Sequence, residues 1–393
     1  MTDLLLTGIG RLVTNDGPPL SDVAVAMEGG RITYAGPEVD APSQESGQRI
    51  DCEGRAVIPG FVDAHTHLVF AGDRADEFAS RLAGTAYTGG GILTTVAATR
   101  ATSEDDLFRE AAGRARRMIA GGTTTVEIKT GYGLDLETEQ KLMRVARRLG
   151  DELPITVRTT FLGAHTVPIE YRDDPDGYVD LIIEEMLPAL APGADYCDVF
   201  VEEGAFSVEQ ARRIFEAAAS HGLAARVHAE QLTHSGGALL AAELRAASAD
   251  HLDQATEEDA DALAQAGVCA VLTPGASYSL RKPQAPGSML HDRGVTVALA
   301  TDCNPGTSYL ESMGLVISLA CVLMGLTVQQ AVFAATRGGA ISLGLDDRGL
   351  IVSGAVGDLV ILDAPAESHL AYRPATNLAW KTIRAGVLVA DSA

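Results

Sequence analysis

Between roughly residues 56 and 345 short apolar β runs alternate with helical stretches, and this alternation limits the possible folds more than any other feature of the chain. The runs read as strands over Ala56–Asp63, Thr123–Lys129, Ile155–Leu162, Tyr196–Val201, Ala225–His228, Ala249–Leu252, Val268–Leu272 and Val295–Ala300. Helical periods lie between them, at Leu136–Leu149, Val208–Ser220 and Glu257–Gln265, several of them introduced by Thr, Ser or Asp caps. Eight strands alternating with helices over about 290 residues is the arithmetic of an α/β protein of the (β/α)8 TIM barrel class. An open doubly wound sheet would collect its ligands at one switch point. Here polar residues follow nearly every run, as the C-terminal face of a closed barrel requires.

The two ends of the chain are different in kind. Residues 4–14 and 22–35 are strand-like, separated by Asn15-Asp16-Gly17-Pro18-Pro19, and the second is broken at Glu28-Gly29-Gly30-Arg31, a hairpin signal. Residues 36–50 read as a loop. Near the C-terminus, residues 358–363 and 382–389 return to β patterning with no helical period between them. Both ends are expected to join in one β unit, giving a division into 1–55, a barrel over 56–345, and 346–393.

Composition narrows the setting. The 393 residues, 46% hydrophobic and 21% charged, suffice for one large α/β domain and an accessory unit. Met1 to Asp3 lacks the basic start of a secretory leader, and Met313–Leu326 is too short and too interrupted to span a bilayer, so it reads as a buried helix. Five cysteines without a C-x-x-C pair suit a reducing, cytoplasmic setting. Cys303 beside Asp302 could be a nucleophile, but no base partner is placed for it. A net charge of -23 argues against nucleic acid and anionic membranes as partners. It also means that an anionic substrate needs specific cations facing the site.

Counting strands places His65 and His67 after the first, Glu127 and Lys129 at the second, and His165 after the third. Glu202 and Glu203 end the fourth, His228 the fifth, His251 the sixth and Asp302 the eighth. Side chains two apart on a strand point the same way, so His65 and His67 converge. A closed barrel gathers all these ends at one mouth, where imidazoles and a carboxylate form a donor set that zinc or iron(II) accepts.

This order of His-x-His, His, His and Asp on β/α units resembles the amidohydrolase superfamily. The resemblance runs from Val57-Ile58-Pro59-Gly60-Phe61-Val62-Asp63-Ala64-His65-Thr66-His67 to Gly357-Asp358-Leu359-Val360-Ile361. It implies a barrel flanked by a β-sandwich built from both termini. Binuclear members bridge their metals with a modified lysine on strand 4. Phe200-Val201-Glu202-Glu203 has none, so the resemblance implies one divalent ion per chain, Zn2+ or Fe2+, on His65, His67, His228 and Asp302.

Within the superfamily, five stretches are similar to the imidazolonepropionases: Phe70–Arg74, Glu127–Leu134, Phe161–Pro168, Ser248–Leu252 and Thr301–Thr307. That resemblance implies a small anionic substrate, 4-imidazolone-5-propanoate, whose cyclic amide is opened by water to N-formimino-L-glutamate, and it implies a homodimer. The metal lowers the pKa of bound water from 15.7 towards about 7. Asp302 is then positioned to move the water's proton to the leaving nitrogen, and His251 to donate to the developing oxyanion. Arg74 is the expected partner of the carboxylate tail. Tyr132 and His165 are expected to hydrogen-bond the ligand, and the turn carrying Asn304, Gly306 and Thr307 to grip the carboxylate. Mononuclear deaminases carry His-x-x-Glu after strand 5; here the stretch is His228-Ala229-Glu230-Gln231. Gln231 cannot shuttle a proton, which disfavours a purine or pyrimidine deaminase and suits contact with the imidazolone ring. A non-catalytic scaffold barrel would have lost ligands, and none is missing. The roles of Lys129, Glu202 and Glu203 stay open.

Overall fold

The computed structural model describes residues 3–43, 47–84 and 91–392. Eight strands lie side by side in sequence order: Phe61–Asp63, Thr123–Lys129, Thr156–Ala164, Tyr196–Phe200, Ala224–Ala229, Ser248–His251, Cys269–Leu272 and Val297–Leu299. Every neighbouring pair is parallel. The seam between first and eighth closes just beyond the strands, where Thr66 bridges Cys303. There Asp302 N donates to His65 O at 3.0 Å and His67 N to Cys303 O at 3.1 Å. Asp63 bolts the same seam, accepting from Thr301 N at 3.0 Å and Thr301 Oγ1 at 2.6 Å. The ring is therefore a closed (β/α)8 barrel.

Helix starts follow the cap residues. Asp135 accepts from Thr138 N at the head of Leu136–Glu152, Ser207 and Gln210 form a capping box for Val208–Ser220, and Thr256 and Asp259 do so for Glu257–Ala266. Gly267, at φ 72°, ends the last of these in the left-handed conformation that favours glycine. Met313–Leu323 buries Met313, Val316, Ile317 and Ala320, but Val322 is 73% exposed. That helix is thus covered on one side only, which its apolar residues, lying on both faces, could not reveal.

The run expected as one strand over 56–63 is two. Ala56–Pro59 pairs antiparallel with Leu359–Leu362 and parallel with Arg11–Leu12, whereas Phe61–Asp63 opens the barrel. Gly60 is the crossing point. A Cβ there would lie 2.4 Å from Thr124 Oγ1, so only glycine lets the chain pass this close to the second barrel strand.

Both termini build the flanking sandwich. One sheet has the order Arg31–Pro37, Val23–Glu28, Leu4–Ile9, Gln48–Asp51; the other runs Val387–Asp391, Ala379–Arg384, Leu359–Leu362, Ala56–Pro59, Arg11–Leu12. Leu6, Val25 and Met27 from the first pack with Val57, Leu359 and Ile383 from the second. The loop expected over 36–50 holds a short 3-10 turn, Glu38–Asp40, and ends in the strand Gln48–Asp51; its residues 44–46 lie outside the described residues, as does Met1. A short helix, Ser368–Tyr372, interrupts the C-terminal β segments. Among the described residues no helix is long and apolar enough to cross a membrane.

Candidate active site

His65 and His67 leave the first strand side by side, with His228 rising from the fifth and Asp302 from the turn after the eighth. His67 Nε2 lies 3.3 Å from His65 Nε2 and 3.4 Å from His228 Nε2. Asp302 Oδ1 is 3.6 Å from His65 Nε2 and 3.5 Å from His67 Nε2. Donor atoms 2.0–2.1 Å from a tetrahedral ion stand about 3.3–3.4 Å apart, so this spacing fits a bound first-row divalent metal. Burial pushes the three histidines well below their usual pKa, leaving neutral rings with free lone pairs. Asp302 Oδ1 is buried without a hydrogen-bond partner, and burial raises its carboxyl well above the ordinary range. A cation would resolve both features.

Carboxylates behind the rings set their orientation. His65 Nδ1 lies 2.7 Å from Asp250 Oδ2, and His228 Nδ1 lies 2.9 Å from Asp198 Oδ2, which turns both Nε2 atoms inward. One ammonium ties these aspartates together. Lys129 Nζ is 2.8 Å from Asp198, 2.9 Å from Glu127 and 3.3 Å from Asp250. Burial opposes its charge, but Asp198, Glu127 and Asp250 outweigh that and hold its pKa above the usual lysine value. Arg226 lies beside them, near Asp250 and Glu127, and donates to Ser342 O and Ala64 O.

Charge in this fully buried layer does not balance. Lys129 and Arg226 are positive, whereas Glu127, Asp198, Asp250 and Asp302 are negative, so the six sum to -2 when all are ionised. Asp63, pushed up to about 7 by burial, is half-ionised at neutral pH and makes this sum more negative. A divalent cation on the ionised Asp302 would offset this negative charge.

Above this layer a cavity of about 280 Å³ opens, a size suited to a small molecule. Ten of the expected residues, His67, Arg74, Tyr132, His165, His228, Gln231, His251, Asp302, Asn304 and Thr307, line it. His65 lies beneath, fully buried. His165 stacks on His67 at 4.8 Å and donates through Nδ1–H to Gly131 O at 3.0 Å, and Tyr132 packs 5.3 Å from His165. His251 Nδ1 sits 2.8 Å from Thr273 Oγ1, and burial lowers the His251 pKa to about 4. A neutral His251 still carries one N–H, and if the threonine hydroxyl donates to Nδ1 that N–H is on Nε2.

Arg74 is nearly buried and makes a two-pronged pair with Glu77, both contacts at 2.7 Å. Its guanidinium also lies against Gly306, where a Cβ would come within 2.3 Å of Nη1. Gly306 is not among the cavity-lining residues: its carbonyl accepts from Arg81, and its N–H donates to Asn304 Oδ1. Asn304 Oδ1 takes the Thr307 N–H as well, while its amide donates to Asp302 O and Thr307 Oγ1. The backbone donors of this turn are thus engaged internally, and the turn acts by shaping the seat of Asp302 and Arg74. Several non-glycine residues at the mouth have left-handed backbones, namely Glu230 at φ 53°, His251 at 75°, Leu252 at 62° and Asp302 at 50°. Such strain gathers where a site is held against local preference.

Asp198, Asp250 and Arg226 escaped the sequence reading. Their signal was present: each places a charge inside an otherwise apolar strand, as in Tyr196-Cys197-Asp198-Val199-Phe200, and a buried charge demands partners. Glu202 lines the cavity with its carboxylate tied into the loop after strand 5, and Glu203 is exposed at the rim.

Comparison with known proteins agrees with this geometry. Residues 56–389 match the model of the amidohydrolase family. An imidazolonepropionase of Salinispora arenicola is 50% identical, the match covering 98% of this chain and 99% of that protein. Those of Streptomyces griseus and Mycolicibacterium smegmatis are each 48% identical, covering 98% and 99% of this chain and 99% and 98% of theirs. Among solved structures, 5-methylcytosine deaminase from Klebsiella pneumoniae superposes with a TM-score of 0.80 at 18% identity, covering 99% of this chain and 98% of its own. N-isopropylammelide isopropylaminohydrolase from Burkholderia multivorans gives 0.73 at 22%, with 100% and 99% covered; at these identities the likeness shows the fold alone. The chain belongs to the imidazolonepropionases, within the amidohydrolase family.

Proposed function

We propose that this cavity hydrolyses the ring amide of 4-imidazolone-5-propanoate, giving N-formimino-L-glutamate. The observation that carries the reading is the meeting of a three-histidine, one-carboxylate cluster with Arg74 in a single small cavity of a chain whose net charge is -23. One divalent ion, zinc or iron(II), would be held by His65, His67, His228 and Asp302, and when bound it supplies Lewis acidity that makes water a nucleophile at neutral pH.

The chain's own groups do the rest. Arg74 binds the propanoate tail, with Glu77 keeping its fork in place from the far side. Tyr132 and His165 wall the cavity and position the ligand, and Gln231 meets the ring with a carboxamide that can donate and accept. Asp302 takes a proton as water adds to the ring carbonyl carbon. The Nε2–H of His251 donates to the carbonyl oxygen as negative charge develops there. The carbon–nitrogen bond of the ring then breaks, and Asp302 returns the proton to the departing nitrogen. Water has then added across the bond, giving an N-formimino group and a carboxylic acid that releases its proton to solvent to become the carboxylate.

The test is direct: mix the metal-supplemented protein with 4-imidazolone-5-propanoate and follow the ultraviolet absorbance of the ring. Steady loss with formation of N-formimino-L-glutamate is the expected result. No turnover, with ammonia released from a nucleobase analogue instead, would overturn it.

A further inference from the structure

Glu202 is a buried carboxylate beside the cavity for which neither the ligand set nor the chemistry above has a use. Its oxygens are fully engaged. Oε2 accepts from Leu232 N at 2.8 Å and Thr233 N at 3.3 Å; Oε1 accepts from Glu203 N at 2.9 Å and from the Thr233 hydroxyl. These four donors occupy its oxygens within the protein. What it does is fasten the end of barrel strand 4 to the loop after strand 5.

That loop carries Gln231. A second carboxylate, Glu230, holds its other side by accepting from Ser235 N at 2.5 Å and Ala238 N at 2.9 Å. Gln231 stands between the two anchors and faces the cavity. Topology puts this anchored edge opposite the Arg74 edge, since strands 1 and 8 adjoin each other and strand 5 lies half-way round the ring. The cavity therefore has the Arg74 guanidinium at one edge and the Gln231 amide at the other.

We infer that Glu202 is a positioning residue for substrate recognition: its carboxylate clamps the 231–233 loop so that the Gln231 carboxamide is held at the ring end of the cavity. This rests on the reading of the substrate given above. Preorganising a polar group through a rigid support improves binding without touching the reacting atoms.

A Glu202→Gln variant tests it, because a carboxamide presents one acceptor and one NH2 group, and the NH2 must face N–H donors of the loops. Turnover by the unaltered protein is established first, so that failure there falls on the substrate reading alone. Glu202→Gln is expected to raise KM about tenfold, the effect of one lost hydrogen bond to a charged group, with kcat changed much less and metal content unchanged. Gln231→Ala should do the same, and the double variant should be no worse than Gln231→Ala. An unchanged KM in folded, metal-replete Glu202→Gln, or effects that multiply in the double variant, would overturn the clamp. Should Glu202→Gln fail to fold, Thr233→Val removes a single contact to the same carboxylate; a raised KM upholds the proposal and an unchanged one refutes it.

Discussion

Replacing Lys129 with methionine isolates the charge layer under the site. The ammonium is fully buried and lies within 3.3 Å of three carboxylates, Asp198, Glu127 and Asp250. Methionine is of similar length, so the change removes charge more than volume. The buried sum falls from -2 to -3, and two aspartates that orient ligand histidines lose their shared donor. Leaving a buried charge uncompensated costs about 3–5 kcal/mol, a large part of the 5–15 kcal/mol by which a typical domain is stable. Urea denaturation of the metal-free protein should show that loss as a lower midpoint, and the metal-loaded variant should surrender its ion to a chelator faster. Adding Asp198→Asn to Lys129→Met restores the buried sum and should recover at least about 1 kcal/mol, as contacting charges couple non-additively. A midpoint unchanged in Lys129→Met, or a double variant that loses the sum of the two single effects, would refute the ion-pair account.

His228→Ala removes one of four donors, so elemental analysis should find the divalent ion reduced to a small fraction of that in the unaltered protein; full retention would discard the ligand assignment. Gly306→Ala places a Cβ 2.3 Å from Arg74 Nη1, and Arg74→Ala removes the cation itself. Both should raise KM, about 10-fold or more for Arg74→Ala, without changing metal content, and an unchanged KM would take Arg74 out of substrate binding. Asp253 offers a pH test: buried after strand 6 and accepting from Ser277 Oγ at 2.6 Å and from the Ala285 backbone, it is pushed up to about 7 by burial. A raised carboxyl pKa favours the neutral folded form, so its contribution is full below about pH 4 and is lost as pH rises through 7. Asp253→Asn should therefore unfold at a higher temperature than the unaltered protein at pH 8, with the difference fading towards pH 5; a constant difference would show that Asp253 does not titrate in this range.

Strand order and the cluster of three histidines and a carboxylate were legible because both depend on local pattern. An apolar run ending in a histidine marks a strand end, and His65, His67, His228 and Asp302 each follow such a run. The first run misled because Ala56–Pro59 and Phe61–Asp63 are both apolar and buried. Nothing in their periodicity says that one pairs with Leu359–Leu362 and the other with Thr123–Lys129. At the Asn304 turn the donors were visible, but not that Asn304 Oδ1 itself takes the Gly306 and Thr307 N–H groups.

Taken by itself, the sequence determined that eight strand ends meet at one mouth and which imidazoles and carboxylate stand there, since these follow from chain order and the two-residue period of a strand. Closure of the ring decided the pairings. Lys129 on strand 2 reaches Asp198 on strand 4 and Asp250 on strand 6, Glu202 on strand 4 holds the loop after strand 5, and Asp63 on strand 1 bolts Thr301 after strand 8. Each links residues far apart in the chain through buried charges or hydrogen bonds, whose partners are fixed by distance in space and carry no local period.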